Sequence, residues 1–250
     1  AYARGYFGAY RELGQHADLD VILHLGDYIY EYGFDDVRPI EPPRETATLE
    51  DYRVRYAHYR RDPDLQAIHR QHPMIAVWDD HETVNNAYST GAADHNPALA
   101  DFETRKAEAY RVYEEWMPIR PQEPGKLWRS FRFGDLVDLL MLDTRMWGRD
   151  AQVGRNNRAA LEDPNRTILG FDQEGWLESS LQYSDAHWTF VAQQVLMLQL
   201  SLGGTPLNTD QWDGYAASRD RFFDAIEGGG PRNTVVLGGD IHTSWAADLA

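Results

Sequence analysis

The sequence predicts an α/β fold in which short parallel strands alternate with helices. Three stretches indicate it, because each is a short apolar run that ends in acidic or histidine residues: DVILHLGD, MIAVWDDHE and TVVLGGDIH. Short apolar runs of this kind are typical of buried parallel strands. They occupy residues 20–27, 74–82 and 234–242, almost the whole length of the chain, so residues 1–250 are predicted to form one domain.

Helices are predicted where apolar and aromatic residues recur at a spacing of three to four. Thr48 and Asp51 form a capping box that marks the start of one of them. A last helix is predicted to follow the WDGY motif and to end near Ile226. The other predicted helices cover residues 5–16, 49–60, 63–72, 98–116 and 171–184.

The middle of the chain predicts further strands and two polar loops. Two strand-like runs in residues 127–142 flank a Gly-Asp turn dipeptide and predict a hairpin, and residues 187–197 predict another strand. The loop at 85–98 follows the second strand motif, and we expect it either to contact substrate or to be a plain surface loop. The loop at 148–167 carries four arginines, which either clamp phosphate or are solvated.

Composition limits the classes of function. The chain has 40 acidic and 24 basic residues and a formal net charge of −16. A surface this acidic repels the phosphate backbone, so we predict no nucleic acid-binding surface. No apolar run is long enough for a membrane span, and residues 1–14 lack the pattern of a signal peptide. The absence of cysteine excludes disulfide and thiolate chemistry, and no pattern indicates a protein partner.

Carboxylates stand where the three strand motifs end. Asp27, Asp80 and Asp240 follow apolar runs directly, at the strand end where α/β sheets bind ligands. Rigid strands that converge can hold several carboxylates around a hard cation, and one carboxylate can bridge two ions. Asp240 and His242 alternate along the chain, so their side chains are expected to point the same way. The sequence predicts a metal centre here, against the alternative of ordinary turn and capping residues.

Other polar residues near the strand ends allow two interpretations. Arg145, in the motif LDTR, either pairs with Asp143 or holds a phosphate oxygen. His24 lies inside the first strand and is predicted to be a hydrogen-bonded core histidine. Asp79 and Glu82, in the motif WDDHE, are predicted to support the site by orienting its histidine rather than to bind metal directly.

Several of these motifs resemble those of a known family. GDYIY matches the GDxxY pattern of the purple acid phosphatases, in the calcineurin-like metallophosphoesterase superfamily, and WDDHE and GDIH stand at two further motifs of that superfamily. The chain is more similar to the PhoD-type alkaline phosphatases, because GYFxAYR, HLGDYIYEYG, WDDHE, LDTR, WDGY and GGDIHxSW resemble theirs in the same order. This resemblance, over nearly the full chain, implies a metallophosphoesterase-type β-sandwich flanked by helices.

The resemblance also implies a reaction and its cofactors. The reaction is hydrolysis of phosphate mono- and diesters, by in-line attack of a metal-bound hydroxide. The cofactors are Fe³⁺ and Ca²⁺, with Mg²⁺, Mn²⁺ or Zn²⁺ as alternatives. Asp80 and Asp240 stand where the purple acid phosphatases have an amide and an imidazole ligand. Carboxylate oxygens are harder ligands than these groups, so the second metal site is expected to favour Ca²⁺ or Mg²⁺ over Zn²⁺. The residues assigned to metal binding are Asp27, Tyr30, Asp80, Asp240 and His242.

The same resemblance assigns roles to single residues. Asp27 would bridge the ions, Tyr30 and His242 would bind iron, and the remaining two aspartates would bind the second cation. His81 would face the substrate, as a hydrogen-bond donor or as the acid that protonates the leaving oxygen. Arg145 would hold a phosphate oxygen.

Two other functions remain open at this point. One is a phospholipase D-like phosphodiesterase on the same scaffold, and the other is a metal- or phosphate-binding domain without turnover. Members of the family have strands on both sides of the matching region, so we expect this chain to be truncated at both ends. By resemblance, the expected localisation is secreted or periplasmic.

Overall fold

The computed structural model describes residues 2–34, 37–231 and 233–249. The mixed α/β fold predicted from the sequence is confirmed. The α-helices of this part of the chain are α1 (Gly8–Leu13), α2 (Leu49–Tyr59), α3 (Pro63–Gln71), α4 (Phe102–Trp116), α5 (Arg158–Leu161), α6 (Phe171–Gln182) and α7 (Ala216–Glu227). Short 3-10 helices cover Tyr2–Arg4 and Trp212–Gly214. Within the same described ranges, no helix is both long and apolar enough to cross a membrane.

The strands are short, with two to five residues each. They are β1 (Ile22–His24), β2 (Met74–Ala76), β3 (Ala87–Tyr88), β4 (Gly91–Ala92), β5 (Arg129–Phe133), β6 (Val137–Met141), β7 (Trp188–Ala192), β8 (Ser201–Leu202), β9 (Thr205–Pro206) and β10 (Thr234–Leu237). The chain forms two compact units, Ala1–Ala87 with Gly91–Gln122 and Tyr88–Thr90 with Glu123–Ala250. A single domain over residues 1–250 stays a prediction.

The sheet of the first unit pairs β1 with β2 in parallel, with Ile22 opposite Met74 and His24 opposite Ala76. Both strands are shorter than the apolar runs that predict them. Val77 extends the pairing by one bond, from its backbone N–H to the carbonyl of His24 at 3.0 Å. Because the strands are parallel and in register, the two acidic loops that follow them leave the same edge of this sheet.

Caps decide where the helices of the first unit begin. The capping box predicted at Thr48 and Asp51 is present at the start of α2. The α4 helix begins at Phe102 rather than at residue 98, because the Asp101 carboxylate accepts the backbone N–H of Thr104 at 3.1 Å and caps the helix there. Helix boundaries therefore follow the capping side chains more closely than the aromatic pattern.

Two histidines of the first unit are held neutral by burial. His24 Nε2 lies 2.8 Å from the Tyr10 hydroxyl, and its Nδ1 accepts the backbone N–H of Gly26 at 3.3 Å. His69 Nε2 lies 2.8 Å from the Tyr28 hydroxyl. Burial lowers the pKa of each histidine to about 4. In the structure His24 is a hydrogen-bonded interior residue, in line with its predicted place in the core.

Because of these two histidines, we predict that the first unit loses stability in acid. Each ring is neutral when folded but takes up a proton below about pH 6.5 when unfolded. The free energy of unfolding should therefore fall as the pH drops from about 6.5 towards 4, by at most about 1.4 kcal/mol per pH unit for His24 and by less for His69, because solvent screens the more exposed ring. In metal-free protein, His69→Gln should make this decline shallower in urea titrations at pH 7.5 and 5. The exposed control His16→Gln should leave it unchanged, and equal declines in all three proteins would contradict the prediction.

The second unit contains a four-stranded sheet in the order β10-β7-β6-β5. The predicted hairpin is confirmed, because β5 and β6 pair antiparallel around Gly134, whose φ of +56° favours glycine. The other neighbours are parallel. The predicted strand at 187–197 ends earlier, at Ala192, because the Gln193 side chain accepts the backbone N–H of Val195 at 3.0 Å and closes a turn.

A buried apolar cluster of the second unit packs against one face of this sheet. Leu140 and Val191 point from β6 and β7 into a buried apolar cluster with side chains of α6 and α7. Leu177 and Leu181 of α6 and Phe222 of α7 complete the contact. Burial of these apolar side chains stabilises the sheet and so holds in place the strand ends that carry the polar residues described below.

Candidate functional site

A tight turn after β1 places the first candidate ligand. Gly26 has a φ of +110°, and a Cβ built on it would lie 2.3 Å from the Asp79 Cβ, so the loop after β2 approaches a position that only glycine can occupy. Asp27 follows with a φ of +58°, in the left-handed region. The turn therefore depends on glycine at one position and forces an aspartate into an uncommon conformation at the next.

The loop after this turn brings Asp27 and Tyr30 together. The Tyr30 hydroxyl donates to Asp27 Oδ2 at 2.8 Å. Burial, the charge of Asp27 and this hydrogen bond raise the pKa of Tyr30 above its ordinary value. A carboxylate and a phenol oxygen in one place form a donor set suited to a hard cation.

Asp80 is held by the loop that follows it. Its carboxylate accepts the backbone N–H of His81 at 2.9 Å and that of Asn86 at 2.6 Å. Only 1% of Asp80 is exposed. A second backbone N–H, that of Asn85, is donated to Glu31 at 2.7 Å. The start of the loop at 85–98 therefore orients the carboxylates of Asp80 and Glu31. Contact between this loop and substrate stays a prediction.

His81 contacts Glu31, a carboxylate inside the motif HLGDYIYEYG to which the sequence assigns no role. Its Nδ1 lies 2.6 Å from Glu31 Oε2, and Glu31 is buried. Burial alone would lower the pKa of His81, but the hydrogen bond to Glu31 and the nearby charges of Asp80 and Asp27 raise it to about 9. The local sequence around Glu31 gives no signal for this pairing, since its partner lies 50 residues further along the chain.

Glu82 supports the site by a different route from the predicted one. Its carboxylate accepts three backbone N–H groups, those of Asp27, Tyr28 and Asp79, at 3.1, 2.6 and 2.8 Å. Burial and the charge of Asp27 raise the pKa of Glu82 to about 8, although these three bonds oppose the change. Glu82 thus ties the two strand-end loops together, whereas Glu31 holds the histidine.

The first unit gathers donors for a cation at the edge of its sheet. Asp27, Asp80 and His81 each offer one ligand atom, and these atoms all lie within 4.8 Å of one another. Burial and, after it, the negative charge of Asp27 raise the pKa of Glu82, and a cation bound at this edge would offset that charge. Two carboxylates with one imidazole are ligands that proteins use for divalent and trivalent metals. These residues could hold a metal ion.

In the second unit, Arg145 and Asp240 belong to a buried ionic network. The Arg145 guanidinium donates to Asp210 at 2.7 Å and to Asp240 at 2.8 Å. Arg149 reaches the other oxygen of Asp210 at 2.6 Å. Burial would raise the pKa of Asp210, but the two guanidinium charges hold it at about 2. No sequence signal identifies Asp210, which lies next to the WDGY motif without an apolar run directly in front of it.

The last strand motif ends in strained backbone. Asp240 and His242 have φ values of +64° and +54°, both in the left-handed region. Gln211 donates to the second oxygen of Asp240 at 3.1 Å, so this carboxylate is oriented from two sides within its unit. His242 is exposed. Binding of metal by Asp240 and His242 stays a prediction.

Comparison with known proteins identifies the family. The family model of the PhoD-like phosphatases matches residues 1–250. This chain belongs to the PhoD-like phosphatase family. Alkaline phosphatase D of Bacillus subtilis (strain 168) is 40% identical to it over 266 residues, which cover 99% of this chain and 45% of that protein. A solved structure described as "Structure of PhoD" has a TM-score of 0.90 and 39% identity, and the match covers 98% of this chain and 50% of that one.

The chain spans about half the length of both relatives. These comparisons confirm the family resemblance drawn from the motifs. The match to the solved structure also confirms the α/β fold class.

Two arginines of the loop at 148–167 have structural contacts within the second unit. Arg149 donates to the carbonyl of Thr144 at 2.7 Å, and Arg166 donates to the carbonyl of Gly214 at 2.6 Å. Asp143, in the LDTR motif, accepts the backbone N–H of Arg145 at 2.9 Å. These contacts favour a structural role for both loop arginines over a phosphate clamp.

The turn that carries Asp27 predicts a large effect of Gly26→Ala. A methyl group at φ +110° would meet the Asp79 backbone and Cβ, so the two loops that hold the ligands would have to separate. We expect a loss of about 3 kcal/mol in the free energy of unfolding, measured by urea titration of the metal-free protein. Gly5→Ala is the control, because a Cβ there meets nothing within 4 Å, and it should change stability by less than about 1 kcal/mol. Equal stability of the two variants would contradict the prediction.

Proposed function

We propose that this PhoD-like phosphatase hydrolyses phosphate esters at a metal centre built on Asp27, Tyr30 and Asp80, with His81 beside it facing the substrate. The observation that carries the proposal is the convergence of three buried or half-buried ligand atoms within 4.8 Å at the strand ends of the first unit. The name of its Bacillus subtilis relative, alkaline phosphatase D, supports phosphate esters as the substrate class. We extend the proposal to both mono- and diesters, and to a secreted or periplasmic protein.

The donor types support a choice of metals. A phenol oxygen beside a carboxylate suits Fe³⁺, and we propose that Asp27 and Tyr30 bind it, since their oxygens lie 2.8 Å apart. Asp80 offers a hard oxygen that suits Ca²⁺. When bound, these ions would lower the pKa of a water nucleophile and neutralise phosphate oxygens. Asp240 and His242 are proposed as further ligands on the strength of the family motif alone.

The chain's own residues would supply proton transfer and orientation. We propose that His81 donates from its ring to the leaving oxygen of the ester. Arg145 is proposed to orient Asp240, because its guanidinium donates to that carboxylate at 2.8 Å. Arg145 is also proposed to hold a phosphate oxygen of the substrate. Glu82 would keep the two ligand loops at a fixed separation through its three backbone contacts.

The proposal is tested by metal removal and reconstitution. Protein stripped with a chelator should not hydrolyse p-nitrophenyl phosphate or its bis ester, and Fe³⁺ with Ca²⁺ should restore turnover. The relative rates on the two esters rank monoesterase against diesterase activity. The proposal would be contradicted if the chelator left turnover unchanged. It would also be contradicted if no combination of Fe³⁺, Ca²⁺, Mg²⁺, Mn²⁺ and Zn²⁺ gave turnover.

A spectrum tests the iron ligand separately from activity. Iron bound to a phenolate absorbs visible light, so the Fe³⁺-loaded protein should be coloured. Tyr30→Phe keeps the ring that packs on His81, with ring centres 4.2 Å apart, but removes the oxygen. It should abolish the colour, whereas the control Tyr6→Phe, at an exposed tyrosine of the same unit, should keep it. Retention of the colour in Tyr30→Phe would contradict the proposed iron ligand.

A further inference from the structure

Glu31 is a buried carboxylate with both oxygens engaged. Only 1% of the residue is exposed. Oε1 accepts the backbone N–H of Asn85 at 2.7 Å, and Oε2 lies 2.6 Å from His81 Nδ1. A carboxylate only accepts, so the hydrogen between Glu31 and His81 sits on Nδ1. The backbone bond from Asn85 in turn keeps the carboxylate from rotating away.

The His81 ring is fixed on its other sides as well. The Tyr30 ring packs against it with centres 4.2 Å apart, and the Tyr32 ring meets it edge-on at 5.3 Å. Its backbone N–H donates to Asp80 at 2.9 Å. With Nδ1 committed to Glu31 and both flanks covered by tyrosines, Nε2 is the ring atom left for chemistry at the cluster of ligand atoms.

We propose that Glu31 is a positioning residue that acts through His81: it holds the Nδ1–H and thereby aims Nε2–H at the leaving oxygen of the ester. This inference rests on the proposed phosphoester hydrolysis. In the step, a new bond forms between phosphorus and a water oxygen while the bond from phosphorus to the leaving oxygen breaks. The leaving oxygen takes the proton of Nε2, and the second proton of the water is released to solvent, from which Nε2 is protonated again before the next turnover. Glu31 neither touches the ester nor changes its own bonds, because it keeps the Nδ1–H throughout.

The role predicts a dependence on the leaving group. Phenyl phosphate releases a more basic oxygen than p-nitrophenyl phosphate does, so its cleavage depends more on proton donation. Glu31→Gln keeps the size of the side chain and an oxygen for Asn85 but removes the charge. We expect it to lower kcat on phenyl phosphate about tenfold more than kcat on p-nitrophenyl phosphate, with little change in KM. The surface control Glu115→Gln removes the same charge in the same unit and should leave both rates unchanged.

A double-mutant cycle separates this role from simple support of the fold. His81→Asn places an amide nitrogen near the position of Nδ1 but removes Nε2, so Glu31→Gln should have no further effect in that background. Metal content measured by elemental analysis should be the same in wild type and Glu31→Gln. In the metal-free protein, a downfield proton resonance from the Nδ1–H bond should be present in wild type and absent in His81→Asn.

The outcomes distinguish failure of the positioning role from failure of the proposed function. An equal loss on both esters with unchanged metal content, or additive effects in the cycle, would overturn the positioning role. Loss of metal in Glu31→Gln would overturn it too, since Glu31 would then support the metal site itself. If wild type cleaves neither ester with any metal, the proposed function fails, and the proton resonance alone decides whether the contact between Glu31 and His81 exists in solution.

Discussion

Asp27→Asn is expected to lower kcat/KM for phosphate esters by about a thousandfold and to reduce the bound metal. The substitution replaces a charged oxygen at the centre of the ligand cluster by an amide, while the size of the side chain is unchanged. Ester turnover and elemental analysis of the purified protein would measure the two effects. The matched control is Asp64→Asn, at an aspartate that pairs with Arg11 on the surface of the same unit, and it should change activity less than about twofold.

The same substitution should not weaken the metal-free fold. The charge of Asp27 contributes to the elevated pKa of Glu82, so its removal lets the Glu82 carboxylate ionise more readily on its three backbone donors. The urea midpoint of metal-free Asp27→Asn should therefore equal or exceed that of wild type at pH 7. A variant that loses activity together with a large part of its stability would show that Asp27 is a structural residue, contrary to the prediction.

Arg145→Met should have the largest effect on stability. The guanidinium is fully buried and holds two carboxylates, Asp210 and Asp240, which would lose a partner in the interior of the second unit. Removing one partner of a buried ionic group costs about 3–5 kcal/mol, because the remaining charge stays desolvated. Chemical denaturation followed by tryptophan fluorescence would measure this loss.

A surface arginine provides the comparison for that loss. Arg132 contacts Asp138 and Asp185 at 2.9 and 2.7 Å, but its side chain is 39% exposed. Arg132→Met should lower stability far less than Arg145→Met, because water screens these pairs and solvates the carboxylates after the substitution. If both variants lost the same stability, burial would not be the reason for the importance of Arg145.

The strand ends of the first unit could be predicted from sequence because their signal is local. An apolar run followed by an acid is enough to identify Asp27 and Asp80, and parallel pairing of β1 with β2 brings them to one edge. Glu31 and Asp210 carry no such local signal. Their partners lie 50 and 65 residues away, so only the folded chain shows that each holds a candidate site residue.

Element types were easier to predict than element ends for a related physical reason. Periodicity over ten or more residues identifies α2 and α6 correctly, since many residues share the same buried face. A boundary depends instead on one side chain, such as Asp101 at the start of α4 or Gln193 after β7. The role of Glu82 was also beyond the sequence, because its three partners are backbone groups that every residue type offers.

The left-handed backbone at Asp27, Asp240 and His242 has a consequence for natural variation of this chain. Glycine adopts such a conformation at no steric cost, whereas in another residue the contact between Cβ and the backbone destabilises the fold by roughly 1 kcal/mol. Selection for stability alone would therefore favour glycine at these three positions. A retained aspartate or histidine there marks a position where selection for chemistry outweighs selection for a relaxed main chain.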